Sequence, residues 1–104
     1  MAQFDVYLNT NPATRKPVPY LLDVQADLLD TLATRVVVPL VLEDEMGLAA
    51  RHLNPRFKIK GTPVVMSAAE LAGIPSSLLG DKVASLRNKR DEIIAALDML
   101  FTGI

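Results

Sequence analysis

Apolar and polar positions alternate with a period of two at the start of the chain. Phe4, Val6 and Leu8 stand against Gln3, Asp5 and Tyr7, the pattern of a strand with one covered face, which predicts a strand over residues 3–8. "NTNPATRKPVP" then crowds three prolines, two asparagines and two threonines between apolar runs. That is turn chemistry, and it predicts a long exposed hairpin loop leading to a second strand over 20–25. "TRVVVPL" at 34–40 is β-branched and apolar on both faces. It predicts a central strand, with Pro39 near its end because proline cannot donate to a ladder. "RFKIK" and "PVVM" flank Gly61 and predict a hairpin, Phe57 and Ile59 on one face and Arg56, Lys58 and Lys60 on the other.

The period changes in the second half. "SAAE" at 67–70 has the form of a capping box, in which Ser67 accepts from a first-turn amide while Glu70 reaches back to the serine amide. Only a short helix fits before Gly73 and Pro75, and a brief apolar segment, "SSLLG", then runs up to Gly80. From about Arg87 onward Ile93, Ile94, Leu97, Leu100 and Phe101 form one helical stripe almost to the chain end. Asn88 and Asp91 are placed to cap its start and to set negative charge there. Short strands followed by one amphipathic helix predict a mainly β, α+β fold: a small antiparallel barrel or twisted sheet with the helix packed across it.

Length and composition add three constraints. With 104 residues the expectation is one domain spanning 1–104. Half the residues are apolar and 22% charged, an excess that suits a buried subunit interface. The net charge of −1, from eleven basic and twelve acidic residues without long blocks, leaves no field to attract nucleic acid or anionic lipid. Cysteine is absent, which excludes disulfides and thiolate metal sites. "MAQFDVYLN" does not read as a secretory signal, and the longest apolar run, Val36 to Leu42, is far short of the ~20 residues of a membrane helix. A cytoplasmic protein is expected.

Candidate chemistry is thin. His52 is the lone histidine and has no nucleophile signature around it, so a structural role is expected. Asp23, Asp27 and Asp30 depart from the calcium-loop spacing and read as turn and cap residues. Glu43, Asp44 and Glu45 read as a solvated loop, and the five glycines stand singly, with no phosphate cradle. No catalytic residue, metal or cofactor is expected, which leaves a surface. The chain ends "LFTGI", and Gly103 is expected to break the helix as its C′ residue, throwing Ile104 clear of the apolar stripe. Either Phe101 and Ile104 fold back on their own core, or they form an apolar handle for a partner, each worth roughly 1.5–3 kcal/mol on burial.

"QFDVY" at 3–7, "LDVQADLLD" at 22–30, "RVVVPL" at 35–40, "GIP" at 73–75 and the closing "IIAALDMLFTGI" together resemble the CcdB-type toxins of bacterial toxin–antitoxin modules, in order along nearly the whole chain. The resemblance implies a homodimeric SH3-like barrel of antiparallel strands with a long C-terminal helix, shared with the MazF and Kid toxins. It further implies a plasmid-maintenance type of poison that binds the DNA gyrase A subunit and holds the enzyme in its cleaved-DNA state. A cognate CcdA-type antitoxin would neutralise the toxin, and the pair would repress its own operon, reaching DNA only through the antitoxin.

Carried over by position, the resemblance implies a gyrase-facing patch of Leu28, Leu29, Asp98, Phe101, Thr102, Gly103 and Ile104, with Gln3 and Phe4 nearby. Antitoxin contacts would fall on the first loop, including Asn9, Thr10, Asn11 and Arg15, and on Glu43, Asp44, Glu45 and Met46. Two departures stand out. Thr102 occupies the place of a tryptophan in the best-known pattern, which forfeits a cation–π contact of about 0.5–2 kcal/mol. The first loop is also a few residues longer and carries prolines. Two rivals stay open: an endoribonuclease of the same fold, although no basic groove or acid/base pair is evident, and a degenerate toxin that retains only antitoxin binding.

Overall fold

The computed structural model describes residues 2–47 and 54–103. Its strands are β1 (Asp5–Asn9), β2 (Tyr20–Asp23), β3 (Thr34–Leu42), β4 (Arg56–Ile59), β5 (Thr62–Met66), β6 (Ala72–Pro75) and β7 (Leu79–Ser85), followed by the helix α1 (Arg90–Thr102). They make one seven-stranded sheet in the order β4-β5-β3-β2-β1-β7, with β6 also paired to β3. Every pairing is antiparallel. The sheet curls into a half-barrel, the SH3-like α+β fold. Among the described residues no helix is long and apolar enough to cross a membrane.

The core lies between the sheet and α1. Val6, Leu22, Val38, Leu40, Ile59, Val64 and Met66 meet Ile93 and Ala96 of the helix, with Ile94, Leu97 and Leu100 half-buried around them. The hairpin at β4 and β5 turns on Lys60 and Gly61, both at positive φ, and buries Phe57 and Ile59 while Arg56 and Lys58 stay outside, as the alternation predicts.

Pro39 departs from expectation. It lies inside β3, which runs on to Leu42, and not near the strand's end. On one side β3 pairs with β2 through Pro39 itself. On the other, β6 covers it as far as Val37 and β5 takes over from Leu40. Pro39 falls in that changeover, where its carbonyl accepts from Ser67 N–H at 3.0 Å and no ladder partner requires an N–H.

The alternation along β1 is also misleading. Asp5 and Tyr7 are buried together with Phe4 and Val6, while Leu8 is exposed. The sheet's second face carries its own enclosed layer of Asp5, Tyr7, Asp23, Arg35 and Val37, so over residues 5–7 neither side of the strand is solvated. The Asp5 carboxylate is held there by Ala2 N–H at 3.1 Å and by Lys82 Nζ at 3.3 Å.

The strands β6 and β7 have no counterpart in the sequence pattern. "GIP" pairs with the start of β3, Gly73 opposite Val36 and Pro75 opposite Thr34. Β-strand β7 is an edge with Asp81 and Lys82 exposed, so its alternation is too weak to read. "SAAE" forms a single 3₁₀ turn over Ala68–Glu70, without a side-chain cap. Ser67 Oγ donates to Glu70 Oε1 at 3.0 Å instead, side chain to side chain. α1 starts at Arg90 behind another 3₁₀ turn and likewise lacks a side-chain cap. Asn88 therefore does not cap it, but Asp91 and Glu92 place negative charge in its first turn.

Candidate functional site

Two groups of large apolar side chains project from the sheet and helix. The first is a turn after β2. Asp27–Leu29 form a 3₁₀ turn that leaves Leu28 92% exposed and Leu29 and Leu32 about half exposed. This turn is firmly tied. Gln3 N–H donates to Asp27 Oδ1 at 2.7 Å, and Gln3 Nε2 donates to the Val24 carbonyl at 3.1 Å. Gln25 Nε2 donates to the Leu29 carbonyl at 2.9 Å. Arg35 Nη1 reaches Asp30 Oδ1 at 3.5 Å.

Beneath the turn lies a buried ion pair. Arg35 donates through Nε and Nη2 to Asp23 Oδ2 at 2.9 and 2.6 Å, while Asp23 Oδ1 accepts from Gln25 N–H at 3.0 Å. Burial pushes the Asp23 carboxyl above its ordinary value, and the Arg35 and Gln25 hydrogen bonds work against that rise. The aspartates of "DVQADLLD" are thus structural: Asp23 pairs with Arg35, Asp27 accepts from Gln3, and Asp30 meets the outer edge of the guanidinium.

The second group is the end of α1. Phe101 is 69% exposed, which corrects the reading in which it folds back on its own core. Leu97 and Leu100 face the sheet, and Phe101 stands on the solvent side of the same helix. Gly103 closes the helix in the left-handed region, φ 74° and ψ 16°, and its N–H donates to the Met99 carbonyl at 3.0 Å. Thr102 Oγ1 donates to the Asp98 carbonyl at 2.7 Å, so its hydroxyl is engaged within the helix. Ile104 lies outside the described residues.

The residues expected to face gyrase are therefore placed unevenly. Leu28, Leu29, Asp98, Phe101, Thr102 and Gly103 are at the surface. Gln3 is half-buried and acts as a clamp on the leucine turn. Phe4 belongs to the core, 3% exposed, because its left-handed backbone, φ 72°, turns the chain inward before β1 begins. Its side chain offers no surface. Among the described residues no hydrogen bond joins the leucine turn to the last turn of α1; they are two patches on separate elements.

The residues expected to face an antitoxin gather at one end of the sheet. Asn9 Nδ2 donates to Thr14 Oγ1 and the Val18 carbonyl at 3.0 and 2.8 Å, and Asn9 Oδ1 accepts from Asn11 N–H at 3.0 Å, so the loop is internally organised. Thr10 Oγ1 donates to the Leu78 carbonyl at 2.7 Å, and Arg15 is exposed. Leu42 N–H donates to the Pro17 carbonyl at 2.8 Å, which brings the 3₁₀ turn Glu43–Glu45 beside that loop. Glu43 pairs with Arg56 at 3.3 Å, Asp44 and Glu45 are exposed, and Met46 is half-buried. A groove of about 500 Å³ opens along the loop, floored by Leu21, Val37, Pro39 and Ile74 and rimmed by Asn11 and Leu78.

Leu32 and Leu78, the second within the apolar segment "SSLLG", are further exposed apolar side chains that the sequence assigned to no surface. An apolar side chain inside a turn-rich segment, as in "DTL", was the available signal. His52 lies outside the described residues. No cluster of three or more His, Cys, Asp or Glu side chains among the described residues is placed to hold a metal ion. A protein-family model described as "CcdB protein" matches residues 3–103 of this chain.

Proposed function

Because the chain belongs to the CcdB family of toxin–antitoxin toxins, we propose that it poisons DNA gyrase by docking on the A subunit and trapping the cleaved-DNA complex. The observation that carries this reading is Phe101, a large apolar side chain held two-thirds exposed on a helix that a glycine terminates in an ordered αL cap. Such a rod loses little conformational entropy on docking, so the burial of its end goes into affinity. The leucine turn supplies a second apolar patch under the same condition of prior order.

The active form in this account is a homodimer, whose two-fold axis matches that of the gyrase A dimer and presents both patches twice. The chain acts as an inhibitor, without a catalytic residue of its own, in the cytoplasm where gyrase works. A cognate antitoxin docks at the other end of the sheet, over the first loop and the Glu43–Met46 segment, and supplies the DNA contacts through which the pair represses its operon. Thr102 in place of an aromatic leaves Phe101 as the helix end's described apolar contact.

A gyrase cleavage assay tests the proposal. Supercoiled DNA, gyrase and the protein are incubated, and linear DNA is scored after denaturation of the enzyme. Linear product that depends on the protein supports poisoning; RNA cut without gyrase would point to a ribonuclease, and neither product would leave only the antitoxin partner.

A further inference from the structure

Gln25 sits in the connection after β2, yet it is only 6% exposed and both ends of its amide are used. Nε2 donates to the Leu29 carbonyl at 2.9 Å, and Oε1 accepts from Val36 N–H at 3.0 Å. The first bond grips the last residue of the leucine turn. The second grips β3 where it pairs with Gly73 of β6. The Gln25 N–H is in turn fixed by Asp23 Oδ1 at 3.0 Å, on the carboxylate that Arg35 encloses. A continuous path of hydrogen bonds thus runs from the rigid centre of the sheet to the backbone that carries Leu28 and Leu29.

The chemistry requires an amide. Leucine at this position has neither donor nor acceptor. Glutamate retains an acceptor for Val36 but sets a carboxylate oxygen against the Leu29 carbonyl, where repulsion replaces a bond. We propose that Gln25 is the positioning residue of the leucine patch: without touching the partner, it holds the turn in its presenting form before docking. This rests on the reading of Leu28 and Leu29 as gyrase-facing. Ordering that is complete in the free protein does not oppose association.

The test compares the full-length protein with Gln25→Glu in two measurements: hydrogen exchange of the Leu29, Asp30 and Leu32 amides, which are bonded within the turn, and affinity for the gyrase A subunit. The expected result is a cooperative thermal transition, exchange faster by about tenfold at those three amides, and gyrase affinity weaker by about tenfold, the order of one lost hydrogen bond. Unchanged exchange, or faster exchange with undiminished affinity, overturns the proposal. If Gln25→Glu does not fold cooperatively, Gln25→Asn, an uncharged amide one methylene shorter, is judged by the same readouts. If the wild-type protein does not bind gyrase, the proposed function fails on that result alone, while the exchange data still decide whether Gln25 holds the turn.

Discussion

Asp23 and Arg35 form an enclosed ion pair, Oδ2 to Nη2 at 2.6 Å, with side chains 0% and 1% exposed. Burying two charges is costly, and such a pair persists where the remaining donors and acceptors are also satisfied. Here Gln25 N–H takes Asp23 Oδ1, and Asp30 takes the outer guanidinium nitrogen. The pair is the foundation on which the leucine turn rests.

Removing one partner strands the other. Arg35→Met keeps much of the volume but leaves Asp23 buried and unpaired, at a cost of about 3–5 kcal/mol. Urea unfolding at neutral pH will show a lower midpoint with an unchanged slope. Burial already raises the Asp23 carboxyl, and loss of Arg35 removes contacts that oppose that rise. Its deficit relative to wild type will therefore grow as the pH rises above the ordinary carboxylate value and shrink as the pH falls back towards it.

Tyr7 gives the fold an alkaline limit. Burial, then the nearby Asp5 and Asp23 carboxylates, push its phenol from 10.0 up to about 12. Between those values the folded state keeps a proton that the unfolded state has lost, so stability present below pH 10 declines as the pH rises towards 12, by about 3 kcal/mol in all. Tyr7→Phe removes this slope. Chemical denaturation of both proteins across that range is the check.

The leucine turn is predicted to matter for binding and little for stability. Leu28→Ser removes a side chain that is 92% exposed, so the unfolding free energy stays within about 0.5 kcal/mol of wild type. Titration calorimetry with the gyrase A subunit will show weaker binding. A variant that folds as well and binds as well removes this turn from the interface.

How much of this was legible beforehand follows from what each element is buried against. The β4–β5 hairpin and α1 could be read because each packs one face on a single core: Phe57 and Ile59 on one side, Ile93 and Ala96 on the other. β1 misled because Asp5 and Tyr7 are enclosed by long-range partners, Lys82 on β7 and the Asp23 layer, and local periodicity carries no record of those. β6 and β7 were invisible for the same reason. Gly73 and Pro75 read as breakers until β3 supplies a partner strand, and the patterning of β7 is that of a solvated edge. At the site, the αL end at Gly103 followed from the glycine alone. The core position of Phe4 and the clamp role of Gln3 depend on a left-handed turn at Phe4 that a phenylalanine does not advertise.

Gly103→Ala isolates the helix terminator. A Cβ there meets nothing within 4 Å, so the penalty is purely that of a side chain at φ 74°, about 1 kcal/mol. Scanning calorimetry will show a melting temperature lower by about 4–8 °C. A larger drop would indicate that the residues around the cap pack into the core.

Arg15→Glu addresses the opposite end of the sheet. The residue is exposed, so folding is unaffected, and reversal of its charge is predicted to weaken antitoxin binding while leaving gyrase affinity unchanged. Binding of both partners to the same preparation separates the two surfaces; parallel loss of both would merge them.

The equilibrium affinity of Phe101→Ala for the gyrase A subunit tests the central claim most directly. With Phe101 exposed in the free protein, the variant will melt as wild type does and bind about tenfold to a hundredfold more weakly, the range expected for an aromatic side chain buried only in the complex. A folded Phe101→Ala protein that binds gyrase as tightly as wild type would contradict the account.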